Sequence, residues 1–432
     1  MKNNILIIIA FLLALFANRG QSAEERFTLK NGLKVVLRPV SGTDNVAAIV
    51  LYNIGCDHDP KGKSGLTHLI EHLYVTAAAG KTPARDIQTF MSNYPAGWNA
   101  QTGSTYTVIA TVFPRGKIDQ ELADAAARME NLNVTQADID REKPRLVDEL
   151  ANMFERMPQP AAANRAREKV RPSPNGGRKG GIPEQVNFIT LKELKGTLNR
   201  FYKPINAILI LAGGFKTPEA RRMVEKHFLK IPPGEKCPPA RPVQVGVKGG
   251  FEKINVRPIQ PGMPGFVAVS VKVPLPNDPD YPAFLVLAQR LLASSSKLTT
   301  IQGFFPVNYA ILDDPEILTL LLPLQAGETP EKVVERLNAF IDETLGGPFQ
   351  HVETQTTKMM YGFFLGMIDW PDQAALQNLY GLAFSIGRCL QLGLDSGQLS
   401  SAMDKIMAKD VEKVKNKYFG PNSRAAVAVL PK

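Results

Sequence analysis

Three side chains that could carry metal and proton chemistry lie within five positions of the sequence. His68, Glu71 and His72 occupy positions i, i+3 and i+4, and the whole chain of 432 residues has only five histidines. In a helix these positions lie on one face within about one turn. Two imidazoles one turn apart can hold a zinc ion through their ring nitrogens. The carboxylate between them would stand beside the open coordination position, where it can take a proton from water.

The pattern H-x-x-E-H is the inverted form of the H-E-x-x-H helix of zinc peptidases. A lone histidine is usually an ordinary surface or core residue, but that interpretation must here explain two histidines and a glutamate together. A helix predicted over residues 138–157 carries Glu142 and Glu149, which are seven positions apart and therefore share a face. Carboxylates at this spacing are common on solvated helices, so they gain meaning only in combination with the metal helix.

The amino terminus has the pattern of an export signal. Lys2 is followed by an apolar run over residues 5–17 and then by small and polar residues. Thirteen apolar residues are too few to span a bilayer comfortably, so we predict a cleaved signal peptide over residues 1–23. The mature chain is then expected to be exported, either periplasmic or secreted, without a stable membrane span.

The formal net charge of +10 does not indicate nucleic-acid binding. The lysines and arginines are scattered, without the basic stripe interleaved with aromatic residues that such proteins use. Cys56, Cys237 and Cys389 are widely spaced and form neither a disulfide framework nor a C-x-x-C metal site. We therefore predict no nucleic-acid partner and a metal site without cysteine.

The elements that must position the site follow from periodicity and turn signals. Asn31-Gly32 between two apolar runs indicates a hairpin, and Ser64 or Thr67 is placed to cap the metal helix. Residues 161–183 are rich in Pro, Gly, Asn and Arg and predict a mobile loop. Further segments are assigned by pattern: strands over 46–52, 105–113 and 207–211, and helices over 82–94, 119–131, 191–202 and 218–228.

The second half of the sequence repeats the first. Tyr202 and Tyr418 each end a helix before an apolar strand and are 216 positions apart, and the strand over 46–52 has a counterpart over 266–273. We predict two copies of one α/β unit, over 24–232 and 251–432, joined by a Pro/Gly linker over 233–250. The helix of the second copy, over 281–292, contains no histidine. The metal site therefore belongs to the first copy.

With the motif, the internal repeat and the downstream glutamates taken together, the chain resembles the pitrilysin-type inverzincin metallopeptidases, which include mitochondrial processing peptidase. The likeness is greatest to short bacterial members with one pair of domains per chain, and it covers essentially the whole mature chain. The family motif stands here as His68-Leu69-Ile70-Glu71-His72. The resemblance implies an α+β fold: two homologous α/β domains, each a mostly antiparallel sheet packed with helices, as in LuxS-like metallohydrolases.

The resemblance also implies a ligand set. One Zn²⁺ per chain would be held by His68, His72 and Glu149, with Glu71 as the general base. Glu142 would support catalysis by orienting His72 or His68.

A glycine-rich turn into Asn-Ala-x-Thr matches Gly97, Asn99, Ala100 and Thr102. The resemblance makes this segment the edge along which a peptide substrate adds as a strand, with Asn99 and Ala100 in contact with it.

One departure from the family pattern concerns the second domain. Active members usually supply an arginine and a tyrosine from that domain to hold the substrate. Tyr309 matches the tyrosine, but no arginine occurs between Arg290 and Arg336, and Lys297 would be a poor replacement. We therefore expect a pitrilysin-like partner chain that supplies the pair, or a homodimer.

The function implied is a zinc-dependent endopeptidase or oligopeptidase that acts on extended peptides. A non-catalytic peptide-binding or scaffold subunit is the main alternative, since the arginine is missing. A coincidental H-x-x-E-H on an unrelated fold is the third, and the internal repeat disfavours it.

Overall fold

The computed structural model describes residues 24–171, 178–240, 250–364 and 379–432. The predicted signal peptide and residues 241–249 of the predicted linker lie outside the described residues. Within these ranges, no helix combines the length and the apolar character needed to cross a membrane.

The strands, in chain order, are β1 Glu25–Thr28, β2 Lys34–Pro39, β3 Asn45–Tyr52, β4 Ala78–Ala79, β5 Trp98–Thr102, β6 Thr107–Pro114, β7 Leu132–Asn133, β8 Ala207–Gly213, β9 Gly250–Val256, β10 Phe266–Lys272, β11 Val307–Tyr309, β12 Ile317–Pro323 and β13 Arg424–Pro431. The α-helices are α1 Leu66–Thr76, α2 Ile87–Asn93, α3 Ile118–Glu130, α4 Gln136–Ala151, α5 Pro158–Val170, α6 Pro183–Val186, α7 Leu191–Phe201, α8 Thr217–Phe228, α9 Tyr281–Ala293, α10 Pro330–Gly346, α11 Val352–Phe364, α12 Leu379–Leu392, α13 Ser396–Met403 and α14 Ala408–Tyr418.

The first half forms a six-stranded sheet in the order β1-β2-β8-β3-β6-β5, as far as the described residues go. The pair β2–β8 is parallel and the other pairs are antiparallel. The predicted hairpin joins β1 to β2, and its Gly32 adopts a φ of +89°, a conformation that favours glycine. The Asn31 amide donates to the Phe228 carbonyl at 2.8 Å, so the turn is also tied to the end of α8.

Among the described residues, the second half repeats five of the six strands of this sheet. Its described strands run β9-β13-β10-β12-β11, and β9–β13 is parallel while the others are antiparallel. Strands β2, β8, β3, β6 and β5 thus correspond in order to β9, β13, β10, β12 and β11. The predicted fold of two homologous, mostly antiparallel α/β domains is confirmed. The exact limits 24–232 and 251–432 stay a prediction.

Each half covers one face of the other half's sheet with a helix. Helix α5 packs on β10, β12 and β13 of the second sheet through Ala161, Ala162 and Ala166, which are fully buried. Helix α12 packs on β3, β6 and β8 of the first sheet, where Leu382 and Ala383 are buried. Small side chains let each helix approach the sheet closely, so the face of each sheet that the helix covers is excluded from water.

The loop predicted over residues 161–183 is therefore wrong in its first part, because residues 161–170 belong to helix α5. Prolines and arginines gave this segment the composition of a loop. Pro158, however, occupies the first turn of the helix, where its missing N–H leaves no hydrogen bond unmade. Half of its buried residues are alanines, Ala161, Ala162 and Ala166, whose apolar pattern is too weak to stand out in sequence.

Two other helix predictions need correction at their ends. The helix predicted over 82–94 begins only at Ile87, because the Asp86 carboxylate caps it by accepting the Thr89 N–H at 2.7 Å. The helix predicted over 138–157 begins at Gln136, after a Thr135–Asp138 capping box. It ends as an α-helix at Ala151 and continues as a short π-helical turn, Asn152–Arg156.

Candidate metal and catalytic site

The metal helix α1 begins at a glycine rather than at a side-chain cap. Gly65 is the N-cap residue with a φ of +104°, so the predicted cap at Ser64 or Thr67 is wrong. The carboxylate of Asp59 takes this role from outside the helix, accepting the N–H of Gly65 at 2.7 Å and of Thr67 at 2.9 Å. Helix α1 is buried on nearly all sides, with His72 the half-buried exception. Its position is therefore fixed by packing.

Helix α4 packs against α1 and brings a third donor to the two imidazoles. Glu149 Oε1 lies 3.5 Å from His68 Nε2, and Glu149 Oε2 lies 3.4 Å from His72 Nε2. One donor atom from each of the three residues lies within 4.8 Å of the others. Two imidazole nitrogens and one carboxylate oxygen are the donor set of a catalytic zinc site, which leaves one coordination position free. The residues present therefore fit a zinc ion.

Both imidazoles are held through their Nδ1 atoms. His68 Nδ1 lies 3.1 Å from the Gly180 carbonyl, which can only accept, so Nδ1 carries the proton and Nε2 is left for a metal. His72 Nδ1 lies 3.7 Å from Glu142 Oε2. Of the two histidines that Glu142 could orient, the structure pairs it with His72. Such outer partners set the tautomer and the direction of a ligating imidazole.

The charges around His72 favour its protonated form in the metal-free protein. Burial lowers the pKa of His72, but the Glu142 and Glu149 carboxylates outweigh burial and hold the pKa at about 10. Burial raises the pKa of Glu142, yet His72 and two arginines bring it below its usual value. Arg141 Nε lies 3.1 Å and Arg145 Nη1 3.2 Å from Glu142 Oε1. Glu142 is thus an ionised, buried carboxylate.

Glu71 faces the same site from α1 but does not belong to the cluster of three candidate ligands. Its Oε2 lies 3.6 Å from His68 Nε2 and accepts the Thr102 hydroxyl at 3.1 Å. Burial raises the pKa of Glu71, and the two histidines oppose that shift. A buried carboxylate with a raised pKa, beside a metal site, is suited to accept and return a proton.

Strand β5 forms one wall of the pocket and is the edge of the first sheet in the described chain. Ala100 and Gln101 line the pocket. Asn99, the other predicted substrate-binding residue on this strand, instead directs its side-chain amide to the Tyr380 hydroxyl at 2.5 Å. The hydroxyl of Tyr380 thereby ties the strand to helix α12 of the second half.

The rest of the pocket combines an apolar wall with charged residues that sequence reasoning missed, namely Arg145 on α4 and two from more distant segments. Val75, Ile87 and Met153 supply apolar surface, and Lys179 and Asp313 supply charge. Lys179 lies in the segment predicted as a loop, and Asp313 comes from the second half. Neither carries a sequence signal, since only the fold brings them to the metal helix.

Family profiles match both halves of the chain. One, described as Insulinase (Peptidase family M16), matches residues 34–174 and so includes all the predicted metal and proton-transfer residues. The other, described as Peptidase M16 inactive domain, matches residues 189–361. Together they cover more than half of the chain. The chain belongs to the pitrilysin-type peptidase family M16.

Relatives and solved structures agree with this family. The chain is 26% identical over 206 residues to the zinc protease PqqE of Helicobacter pylori, a match that covers 47% of this chain and 46% of that protein. The matched part therefore spans about half the length of that relative.

Among solved structures, a protease from Helicobacter pylori superposes with a TM-score of 0.78 at 19% identity, covering 95% of this chain and 99% of that one. The periplasmic protease PqqL from Escherichia coli gives a TM-score of 0.71 at 18% identity, covering 96% of this chain and 48% of that one. These likenesses show the M16 fold.

The second half of this M16 chain does not bring Tyr309 to the pocket. Its hydroxyl donates to the Pro315 carbonyl at 3.1 Å and lies 3.2 Å from the Tyr281 hydroxyl, beside the core of the second half. Lys297 is exposed in the turn after α9. Within the described residues, neither side chain lines the site around His68.

Proposed function

We propose that this M16 chain is a zinc-dependent endopeptidase or oligopeptidase that hydrolyses extended peptides. The observation that carries the proposal is the convergence of His68, His72 and Glu149 on one point, with Glu71 beside it. These three residues would hold one zinc ion per chain. When bound, zinc would lower the pKa of a water molecule and polarise a carbonyl group.

The remaining roles belong to side chains of this chain. Glu71 would take the proton of the attacking water and return it to the leaving amine. Thr102, which donates to Glu71 Oε2, would keep that carboxylate turned toward the pocket. Glu142 would fix the direction of the His72 ring.

Extended peptides are the expected substrates because of strand β5. An edge strand presents unpaired N–H and C=O groups, and a peptide that pairs with it gains ladder hydrogen bonds whatever its side chains. Ala100 stands on this strand within the pocket, and the backbone of Asn99 belongs to the same edge. A folded protein cannot offer an extended segment without unfolding locally, so it would be a poor substrate.

We propose a pitrilysin-like partner chain, or a second copy in a homodimer, as part of the active assembly. Support comes from the absence of arginine between Arg290 and Arg336 and from the engagement of Tyr309 within its own half. To test this, the chain and a homologue with an intact Arg/Tyr pattern are assayed separately and as a mixture. Full activity of the chain alone would exclude the need for a partner.

We propose that the chain is exported, to the periplasm or beyond. Export is supported by the signal pattern and by a structural neighbour described as periplasmic.

The test of the enzyme proposal is Glu71→Gln, assayed with and without that homologue. We expect stoichiometric zinc and a fall in peptide hydrolysis of about 10²- to 10⁴-fold, since the proton acceptor is removed and the ligands are kept. Glu219→Gln, a half-exposed position in the first turn of α8, is the control and should retain activity. Unchanged hydrolysis by Glu71→Gln would refute the assigned base. Zinc binding without hydrolysis by the unmodified chain in any pairing would favour the scaffold function.

A further inference from the structure

Two charged residues line the pocket without a part in the roles assigned so far. Lys179 belongs to the first half and Asp313 to the turn between β11 and β12 of the second half. Lys179 Nζ lies 2.6 Å from Asp313 Oδ2, and their side chains are only 14% and 30% exposed. The pair therefore joins the two halves across the wall of the pocket.

The backbone on the carboxyl side of Lys179 is fixed to the metal helix. The carbonyl of the next residue, Gly180, accepts the His68 Nδ1–H at 3.1 Å. Gly181 packs so closely that a Cβ atom there would lie 2.7 Å from the Cα atom of Gly65, at the start of α1. Lys179 is thus held one residue away from a group that orients a metal ligand.

The carboxylate of Asp313 is held from a third direction. Its Oδ1 accepts the Tyr106 hydroxyl at 2.8 Å, and its Oδ2 accepts from Lys179. Tyr106 lies in the turn that follows β5, the strand along which the peptide is proposed to add. Both oxygens of Asp313 are therefore engaged, and they hold the ammonium group near the end of that strand.

The ammonium group of Lys179 has more hydrogen-bond donors than Asp313 uses. It carries three N–H groups, and within the described chain Asp313 accepts from one of them. Arg145 is the other cationic side chain in the described lining of the pocket, but its guanidinium already donates to Glu142 and is 43% exposed. Lys179 is the less exposed of the two cations, and it is the one that no ligand-orienting carboxylate engages among the described residues.

We propose that Lys179 donates a hydrogen bond to the carbonyl oxygen of the scissile peptide bond and that Asp313 positions it to do so. This inference rests on the proposed peptidase function. The carbonyl oxygen gains negative charge as water adds to the carbon, and a fixed, largely buried cation stabilises that charge more than it stabilises the starting amide. Lys179 is thus a catalytic residue, and Asp313 a positioning residue.

The kinetic test compares three variants of the pair and one control variant with the parent enzyme, each checked for zinc content. We expect Lys179→Met to lower kcat about 10²-fold, the usual effect of losing one such donor, with little change in KM. Lys179→Arg should recover at least a tenth of the lost rate, because a donor cation is restored. Asp313→Asn should cost less than Lys179→Met, because the cation remains. Lys413→Met, which removes a lysine paired with Asp280 outside the pocket, should match the parent.

A binding test gives a readout that does not depend on turnover. Two non-hydrolysable peptides of one sequence are titrated into the zinc-loaded protein, with either a phosphinic group or a neutral ketomethylene in place of the scissile bond. Lys179→Met should weaken the anionic phosphinic peptide at least tenfold and the neutral peptide by less than threefold, roughly as expected for a charge-assisted bond.

Equal losses of both peptides, or equal losses of kcat in Lys179→Met and Asp313→Asn, would show that the pair only joins the halves and would overturn the inference. Parental kcat in Lys179→Met would do the same. If the parent protein hydrolyses no peptide, the proposed function fails, and the comparison of the two peptides still decides the role of Lys179.

Discussion

Replacement of Glu142 by glutamine tests how far an outer carboxylate supports the metal site. Glu142 is buried to 2% side-chain exposure and has three cationic neighbours, with His72 Nδ1 at 3.7 Å among them. Exposed ion pairs contribute about 0–1 kcal/mol, which would alter affinity less than about fivefold. Loss of a buried partner of a ligating imidazole instead costs about 10- to 100-fold in metal affinity. This corresponds to about 1.4–2.7 kcal/mol.

The expected result of Glu142→Gln is therefore a zinc dissociation constant raised by one to two orders of magnitude, on the scale given by comparable outer-shell changes. The apparent loss of zinc affinity should be larger at about pH 9 than at pH 7. The substitution also lowers the pKa of His72, so at pH 7 protons compete with zinc for His72 less in the variant than in the parent, and this offsets part of the loss. Competition with a fluorescent chelator measures both values. Circular dichroism establishes that the variant is folded.

Asp140→Asn is the matched control, since Asp140 is exposed on the same helix and, within the described chain, accepts a hydrogen bond only from the Gln136 side chain, at 2.8 Å. The control should bind zinc like the parent protein. At about pH 9, a dissociation constant for Glu142→Gln within twofold of the parent, or a loss equal to that of Asp140→Asn, would refute the reasoning.

Two further predictions concern protons and packing. In the metal-free protein the pKa of His72 is about 10, so zinc must displace the proton of His72 when it binds. Calorimetry in buffers of different ionisation enthalpy should therefore find about one proton released per zinc near pH 7.5. The number of protons released should fall as the pH approaches 10. Release of less than half a proton would contradict this. A Cβ atom at Gly387 on α12 would lie 2.8 Å from the buried Ile210 Cδ1, so Gly387→Ala should lower the free energy of unfolding by about 1–3 kcal/mol in urea titrations. Gly196→Ala, at an open helical site, should raise the free energy of unfolding by up to about 1 kcal/mol. If both substitutions changed this free energy in the same direction, the packing argument would be contradicted.

The cluster of His68, His72 and Glu149, the candidate metal site, was the most predictable part of the molecule. The spacing of His68 and His72, and that of Glu142 and Glu149, each matches whole turns of a helix, so local periodicity alone puts each pair on one face. The predicted convergence of the two helices came from the family resemblance. The position of Glu149 in the structure agrees with it.

Features that depend on the path of a loop or on contacts between distant segments were not predictable. Asp59, six positions before Gly65, caps α1 because the loop between them folds back on the start of the helix, and no residue pattern predicts that path. Asn99 was assigned to the substrate, but its amide meets Tyr380, which is 281 positions away. Lys179 and Asp313 could not be predicted either, because their contact also joins distant segments.

The reciprocal packing of α5 and α12 has a consequence for how the chain can be divided. Neither half contains all the elements that shield its own sheet, so each half expressed alone would leave an apolar sheet face in water. Two fragments cut between residues 240 and 250 and refolded together should reassemble, whereas either one by itself should aggregate. The duplicated unit is therefore stable only as a pair, and a deletion that removes one copy also removes the cover of the other.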